Sequence, residues 1–147
     1  MTADDVTFGL ALIGYALLAA QFARVHPSRE MRMHAIITAC VVAAHVACVW
    51  GLRFEWSLTR MLDKSLSGFV IFHTALLLIL VAPLVRGKLC VRVTTAAFAL
   101  VTAGALPAPF RYPELSLLLW PLVAIAVTAI GYAIATNQRS PKRTMTE

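Results

Sequence analysis

The chain has 147 residues, of which 60% are apolar and only 14% are charged, with a formal net charge of +6. Soluble domains have about a quarter of their residues charged, so this composition excludes an ordinary water-soluble globular domain. The basic residues stand beside long apolar runs, where the preference of Lys and Arg for the cytoplasmic side of a membrane explains them. Nucleic-acid binding is therefore not expected.

Five apolar runs of about 20 residues follow one another and predict membrane-spanning helices. They cover residues 6–23, 33–52, 66–85, 89–106 and 115–135. The fourth run is the least apolar, because Arg92 lies near its start, and four spans are the alternative. Three prolines between 107 and 113 end this run, since proline cannot continue a helix. The sequence predicts an all-α, polytopic transmembrane bundle over residues 1–135 and a polar cytoplasmic tail over residues 136–147.

The distribution of basic residues predicts the orientation of this bundle. Of the 13 Lys and Arg side chains, nine fall on the side of the first loop, the third loop and the tail, and four on the other side. The positive-inside rule places the nine in the cytoplasm, so we expect a multi-pass protein of the bacterial inner membrane with its N-terminus outside. An outer aromatic belt supports this assignment: Trp50, Trp56, Tyr112 and Trp120. The connection 53–64 mixes acidic and basic side chains, and we expect a solvated loop there, with partner docking as the alternative.

Two of the four histidines, His45 and His73, lie well inside predicted spans, where ionisable side chains are costly and usually functional. His45 lies six residues before Gly51, near the outer end of the second span, and His73 lies six residues after Ser67, near the start of the third. At 1.5 Å per residue, each lies about 9 Å below the same membrane surface. If both face the interface of these consecutive helices, they can ligate a b-type haem through two imidazoles. Hydrogen bonding between helices, a quinone site and a proton path remain as alternatives.

His34, at the cytoplasmic end of the second span, is the third candidate metal ligand. It lies eleven residues before His45 and therefore on the same helix face, but no histidine follows His73 to pair with it in a second haem. Together with Met31 and Met33 it forms a cluster of soft donors of the kind that holds Cu(I). The simpler interpretation is that these methionines are ordinary residues at a helix start.

Several residues between positions 60 and 132 form a recognisable pattern. The chain carries an arginine before the histidine of the third span, a Pro-Leu at the end of that span, and later a tryptophan and a Thr-Ala-Ile-Gly-Tyr stretch: Arg60, His73, Pro83, Leu84, Trp120 and residues 128–132. This pattern covers about half of the chain. It resembles a family of small bacterial membrane proteins associated with haem–copper (cytochrome c) oxidase assembly. The resemblance implies an accessory role at a respiratory complex, with His45 and His73 as the metal- or haem-related positions.

The leading hypothesis for function is a small membrane subunit of a bacterial electron-transfer complex, respiratory or photosynthetic, with one haem b between His45 and His73. A cofactor-free accessory or assembly subunit is one alternative, and a small transporter is another. The sequence has no HExxH, GxSxG or P-loop motif and no Asp or Glu within a predicted span, so we do not expect a self-contained enzyme. The expected partners are other membrane subunits and the lipid bilayer.

Overall fold

The computed structural model describes residues 3–24, 29–106 and 116–138, and these residues form six α-helices and no strands. The helices are α1 (Ala3–Ala23), α2 (Arg29–Phe54), α3 (Leu58–Lys64), α4 (Leu66–Val81), α5 (Gly87–Ala105) and α6 (Ser116–Gln138). The all-α prediction is therefore confirmed for this part of the chain. Tyr112, the three prolines between 107 and 113, and residues 139–147 of the predicted tail lie outside the described residues.

Several of these helices have the length and composition of membrane spans. Three apolar stretches are long enough to cross a membrane: Val6–Ala23, Met31–Phe54 and Gly87–Ala105. The pair α3–α4 provides a fourth if it is counted as one broken span, and α6 contains a shorter apolar stretch, Trp120–Thr136. A helix bonds its own backbone groups, which is the condition for crossing hydrocarbon. The described residues thus form a helical bundle with three or four helices suited to a bilayer.

The helix α1 holds the bundle together, since it packs against α2, α5 and α6, whereas α4 packs mainly against α5. The core takes residues from five helices: Tyr15, Leu18, Ala19, Ala39, Ile79, Ala97, Phe98, Ala126 and Ala129. At its centre the ring of Phe98 stacks on Phe22, with ring centroids 4.4 Å apart. Lipid tails are as apolar as these side chains, so close packing rather than exclusion of water holds such helices together.

Two buried hydrogen bonds connect α1 with α5. The hydroxyl of Tyr15 lies 2.8 Å from Oγ1 of Thr102, and the amide Nε2 of Gln21 donates to Oγ1 of Thr94 at 3.0 Å. Gln21 and Thr94 are each only 2% exposed. Hydrocarbon offers such an amide no other acceptor, so the two helices are held in one register by these contacts.

We expect Thr94→Val to lower the free energy of unfolding by roughly 1–2 kcal/mol, because valine keeps the shape of threonine but leaves the Gln21 amide without its acceptor. The measurement is reversible unfolding in mixed micelles, followed by circular dichroism. Thr95→Val is the matched control, since Thr95 is the next residue and its side chain is exposed. Equal stability of the two variants would show that the Gln21–Thr94 bond does not stabilise the bundle.

Two glycines allow neighbouring helices to approach closely. A Cβ atom added at Gly14 of α1 would stand 3.0 Å from Cγ2 of Val42 on α2. A Cβ atom added at Gly104 of α5 would stand 2.8 Å from Cζ of Phe72 on α4. Both distances are shorter than an ordinary van der Waals contact, so the α1–α2 and α4–α5 interfaces each depend on the absence of a side chain at one position.

The structure corrects the sequence-based boundaries on both sides of α4. The third predicted span extends to residue 85, but α4 ends at Val81. Pro83 has no backbone N–H and its ring clashes with the preceding turn, so the helix stops and Leu84 N–H closes a turn to the carbonyl of Val81 at 2.9 Å. The connection 53–64 is not a plain loop, because it contains α3, which is bent by 115° relative to α4.

Candidate functional site

His73 on α4 has both ring nitrogens engaged in hydrogen bonds. Its Nδ1 lies 2.8 Å from the backbone carbonyl of Phe69, one turn earlier, and its Nε2 accepts from the indole N–H of Trp50 on α2 at 3.3 Å. A nitrogen that faces a carbonyl must carry the proton, so His73 is the neutral Nδ1–H tautomer in this arrangement. Through Trp50, this histidine connects α4 to α2.

The hydrogen bond between Trp50 and His73 lies within an aromatic cluster of Trp50, Trp56, Phe69 and His73. Phe69 stacks on the imidazole of His73 with ring centroids 4.0 Å apart, and Trp50 meets it edge-on at 5.8 Å. Trp56 extends the cluster, with its ring centroid 6.4 Å from that of Trp50. The cluster lies where α2 ends and α4 begins, so it joins the two helices at the end of the bundle that carries α3.

His45 on α2 faces a different helix. Its Nδ1 donates to the backbone carbonyl of Thr7 on α1 at 2.9 Å. A second contact joins the same two helices, because the guanidinium of Arg53 lies over the ring of Phe8, 5.5 Å from its centroid. His45 therefore takes part in the α1–α2 interface.

The contacts of the two embedded histidines do not bring their imidazoles together. His45 and Trp50 are five residues apart, which is a rotation of about 140° on an α-helix. The face of α2 that carries His45 is therefore not the face that meets His73 through Trp50. Ligation of one haem by this pair would require Trp50 to leave Nε2 of His73 and His45 to change its face.

One feature of both histidines does match a metal ligand. Each binds a backbone carbonyl through Nδ1, and this arrangement fixes the ring and its tautomer while directing Nε2 towards a metal. Histidines with a purely structural role form the same bond, so the Nδ1 contacts by themselves fit either use. The haem b site at His45 and His73 stays a prediction.

His34 lies near the start of α2 and is half-buried. Its Nε2 atom is buried without a hydrogen-bond partner in the structure, and its backbone carbonyl accepts from the hydroxyl of Thr38 at 2.8 Å. Met31 is buried in the bundle, whereas Met33 is exposed on another side of α2. The soft donors that the sequence groups together with His34 are thus divided between two faces.

Neither a cluster of metal-binding side chains nor a similar protein identifies the function of this site. Among residues 3–24, 29–106 and 116–138, no group of three or more His, Cys, Asp or Glu side chains is placed to hold a metal ion. No family model matches the chain, and no curated protein and no solved structure matches it significantly. The resemblance to the oxidase-assembly family accordingly stays a prediction.

The polar contacts inside the bundle were not predicted from the sequence. Tyr15 and Gln21 are polar side chains in a run that is otherwise apolar apart from Thr7, and this was the available signal. Trp50 was assigned only to the interfacial belt. Trp50 lies one helical turn before the end of α2, at the level of His73, and this position could have indicated a hydrogen bond between the two side chains.

Proposed function

We propose that this chain is a small, non-catalytic subunit that packs within a larger bacterial membrane complex, and that the complex is an electron-transfer assembly, respiratory or photosynthetic. The observation that carries the subunit role is the use of the polar side chains within the helices. Those of Tyr15, Gln21, His45 and His73 are engaged in contacts between helices or with their own helix. Because these polar side chains are already engaged within the chain, we expect its contacts with other proteins to be made mainly by apolar helix faces.

The proposal includes a specific topology. The chain crosses the inner membrane five times, with α6 as the fifth span, the N-terminus outside and the C-terminus in the cytoplasm. Support comes from the nine-to-four distribution of the 13 basic residues and from the 23-residue length of α6. A small transporter is the less favoured class, because no carboxylate lies within the predicted spans to bind a coupling ion or proton.

The electron-transfer assignment has a second, more specific form, in which the chain binds one haem b. The Nδ1 bonds of His45 and His73 are compatible with this form, since each leaves Nε2 as the nitrogen that would face a metal. His45 and His73 would be the residues that hold the haem, after Trp50 has moved away from Nε2 of His73 and His45 has turned to the same face. The haem would supply one-electron transfer, and the histidines would set its position. In the corresponding form without a metal, the chain binds a quinone near the same residues.

Isolation from the native membrane tests the subunit role. We expect a tagged chain extracted in a mild detergent to migrate with other membrane proteins at a mass well above its own 16.0 kDa. The same chain produced alone serves as the control for self-association. A monodisperse monomer that carries an activity of its own would overturn the proposal in favour of a transporter or enzyme.

A reduced-minus-oxidised absorption spectrum of the isolated protein tests the haem form. If haem b is bound, His45→Ala and His73→Ala each remove its bands, whereas His34→Ala leaves them in place. Trp50→Phe is the informative variant, because it frees Nε2 of His73 and should retain or increase haem content. A protein without haem bands in its native complex would overturn the haem form and would leave the cofactor-free subunit and the quinone-binding form.

A further inference from the structure

The short helix α3 meets α4 at a sharp and well-defined elbow. The two helices are bent by 115°, so α3 lies within 25° of the membrane plane when α4 stands along the membrane normal. Ser65 fixes the bend, since its backbone N–H donates to Met61 at the end of α3 and its hydroxyl accepts from the N–H of Gly68 at the start of α4. One residue thus terminates one helix and begins the next.

The length of α4 determines the depth of this elbow. With 16 residues, α4 is about 24 Å long at 1.5 Å per residue, whereas the hydrocarbon core of a bilayer is about 30 Å thick. When α4 spans the membrane, Gly87 and Lys88 begin α5 on the side of the membrane opposite to α3. A helix this short does not lift α3 clear of the membrane, so α3 is expected within the headgroup region.

The side chains of α3 are divided between two faces. Leu58, Met61 and Leu62 lie on one face by helical spacing, whereas the polar residues lie on the other: Thr59, Arg60, Asp63 and Lys64. Met61 is buried against the bundle, but Leu58 is 50% exposed and Trp56, just before the helix, is 67% exposed. Exposed apolar and aromatic side chains directly beside charges are typical of a helix lying in the membrane interface.

The chain reversal before α3 is held in an unfavourable backbone conformation. Glu55 and Trp56 have φ angles of 48° and 59°, a region that non-glycine residues rarely adopt. Two contacts stabilise it: Arg60 binds Glu55 at 2.8 Å, and the ring of Trp56 lies against Gly51 of α2. The result is that Trp56, a member of the aromatic cluster, lies at the start of α3 and at the same end of the bundle.

We propose that the surface formed by Trp56, Leu58, Arg60, Leu62 and Lys64, here called the elbow surface, binds the phospholipid headgroup layer. Leu58, Leu62 and Trp56 enter the boundary with the acyl chains, and Arg60 and Lys64 reach towards the lipid phosphates. The charged residues of 53–64 sum to +1, from three basic and two acidic side chains, which adds a modest preference for anionic lipids. This lipid contact fixes the depth in the membrane at which α2 and α4 are joined. The contact with lipid is independent of the proposed function.

Site-directed spin labelling in vesicles of phosphatidylethanolamine and phosphatidylglycerol tests this assignment. In a background with the three cysteines replaced by alanine, labels are placed at Leu58→Cys on the apolar face and Asp63→Cys on the polar face. We expect the ratio of collisions with oxygen to collisions with a water-soluble nickel chelate to be several-fold higher at position 58. Equal access of nickel to both labels would overturn the proposal in favour of a solvated loop. Protection of position 58 from both reagents would overturn it in favour of a protein partner.

A charge-reversed variant tests the role of the phosphates. Arg60→Glu combined with Lys64→Glu should lower the oxygen-to-nickel ratio at position 58, because the helix then moves away from anionic headgroups. The Asp63→Gln variant is the control and should leave the ratio unchanged or slightly higher. An unchanged ratio in the double variant would overturn the contribution of headgroup phosphates.

Discussion

Replacement of Phe98 by alanine is expected to lower the free energy of unfolding by about 2–4 kcal/mol, the largest loss from a single core truncation in this bundle. Phe98 is 3% exposed and stacks between Phe22 and Tyr15, with ring centroids 4.4 and 5.7 Å away. Its removal takes away the ring that both of these α1 side chains pack against, and it leaves a cavity between α1 and α5. Because lipid is already apolar, the loss comes from packing and lies below the upper end of the range for soluble proteins.

Unfolding in mixed micelles measures this loss, and a lipid-facing residue provides the control. Leu77→Ala on α4 removes a similar apolar volume, but Leu77 is 61% exposed and contacts the surroundings rather than the core. We expect its effect to remain below about 1 kcal/mol. Equal losses in the two variants would show that Phe98 is not at the centre of the packing.

Gly14→Leu is expected to destabilise the bundle by about 2–3 kcal/mol, because a larger side chain has no space between α1 and α2. Even a Cβ atom at this position would stand 3.0 Å from Cγ2 of Val42, which is a stiff, branched side chain. The helices must move apart, and the 2.9 Å bond from His45 to the carbonyl of Thr7 is then broken as well. Chemical denaturation measures the first effect, and the hydrogen-exchange rate at the α1–α2 contact measures the second.

Gly9→Leu provides the matched control on the same helix. No atom of a described neighbour lies within 4 Å of a Cβ atom at Gly9. Leucine is a better helix former than glycine by up to about 1 kcal/mol, so this variant should be neutral or more stable. If both substitutions destabilise the bundle to the same extent, α1 and α2 are not in close contact at Gly14.

The positions of the long helices were largely predictable, whereas α3 was not. Long apolar runs separated by charges predict spanning helices, because hydrocarbon leaves the backbone no other hydrogen-bonding solution. The end of α4 at Val81 was missed because Pro83 stands inside a run that remains apolar to residue 85. A seven-residue helix such as α3 is too short for a clear periodic signal, and the mixed charges of 53–64 suggested a loop.

The depth of the candidate histidines could be predicted, but their direction could not. Depth follows from counting residues along a helix, and this places His45 and His73 near one end of the bundle. Direction depends on which face packs against which neighbour, and a helix that is apolar on all sides carries no such signal. The contact at Gly14 turns one face of α2 towards α1, and His73 meets Trp50 on another face, so equal depth did not produce a shared site.

Accessibility of single cysteines on either side of α4 tests the membrane bundle most directly. In the cysteine-free background, Asp63→Cys lies on α3 before this helix, and Lys88→Cys lies at the start of α5 after it. Because α4 crosses the bilayer in this account, a membrane-impermeant maleimide should label position 63 in intact, outward-facing membranes and position 88 only after permeabilisation. Labelling of both positions from the same side would show that α4 does not cross the membrane and would contradict the account.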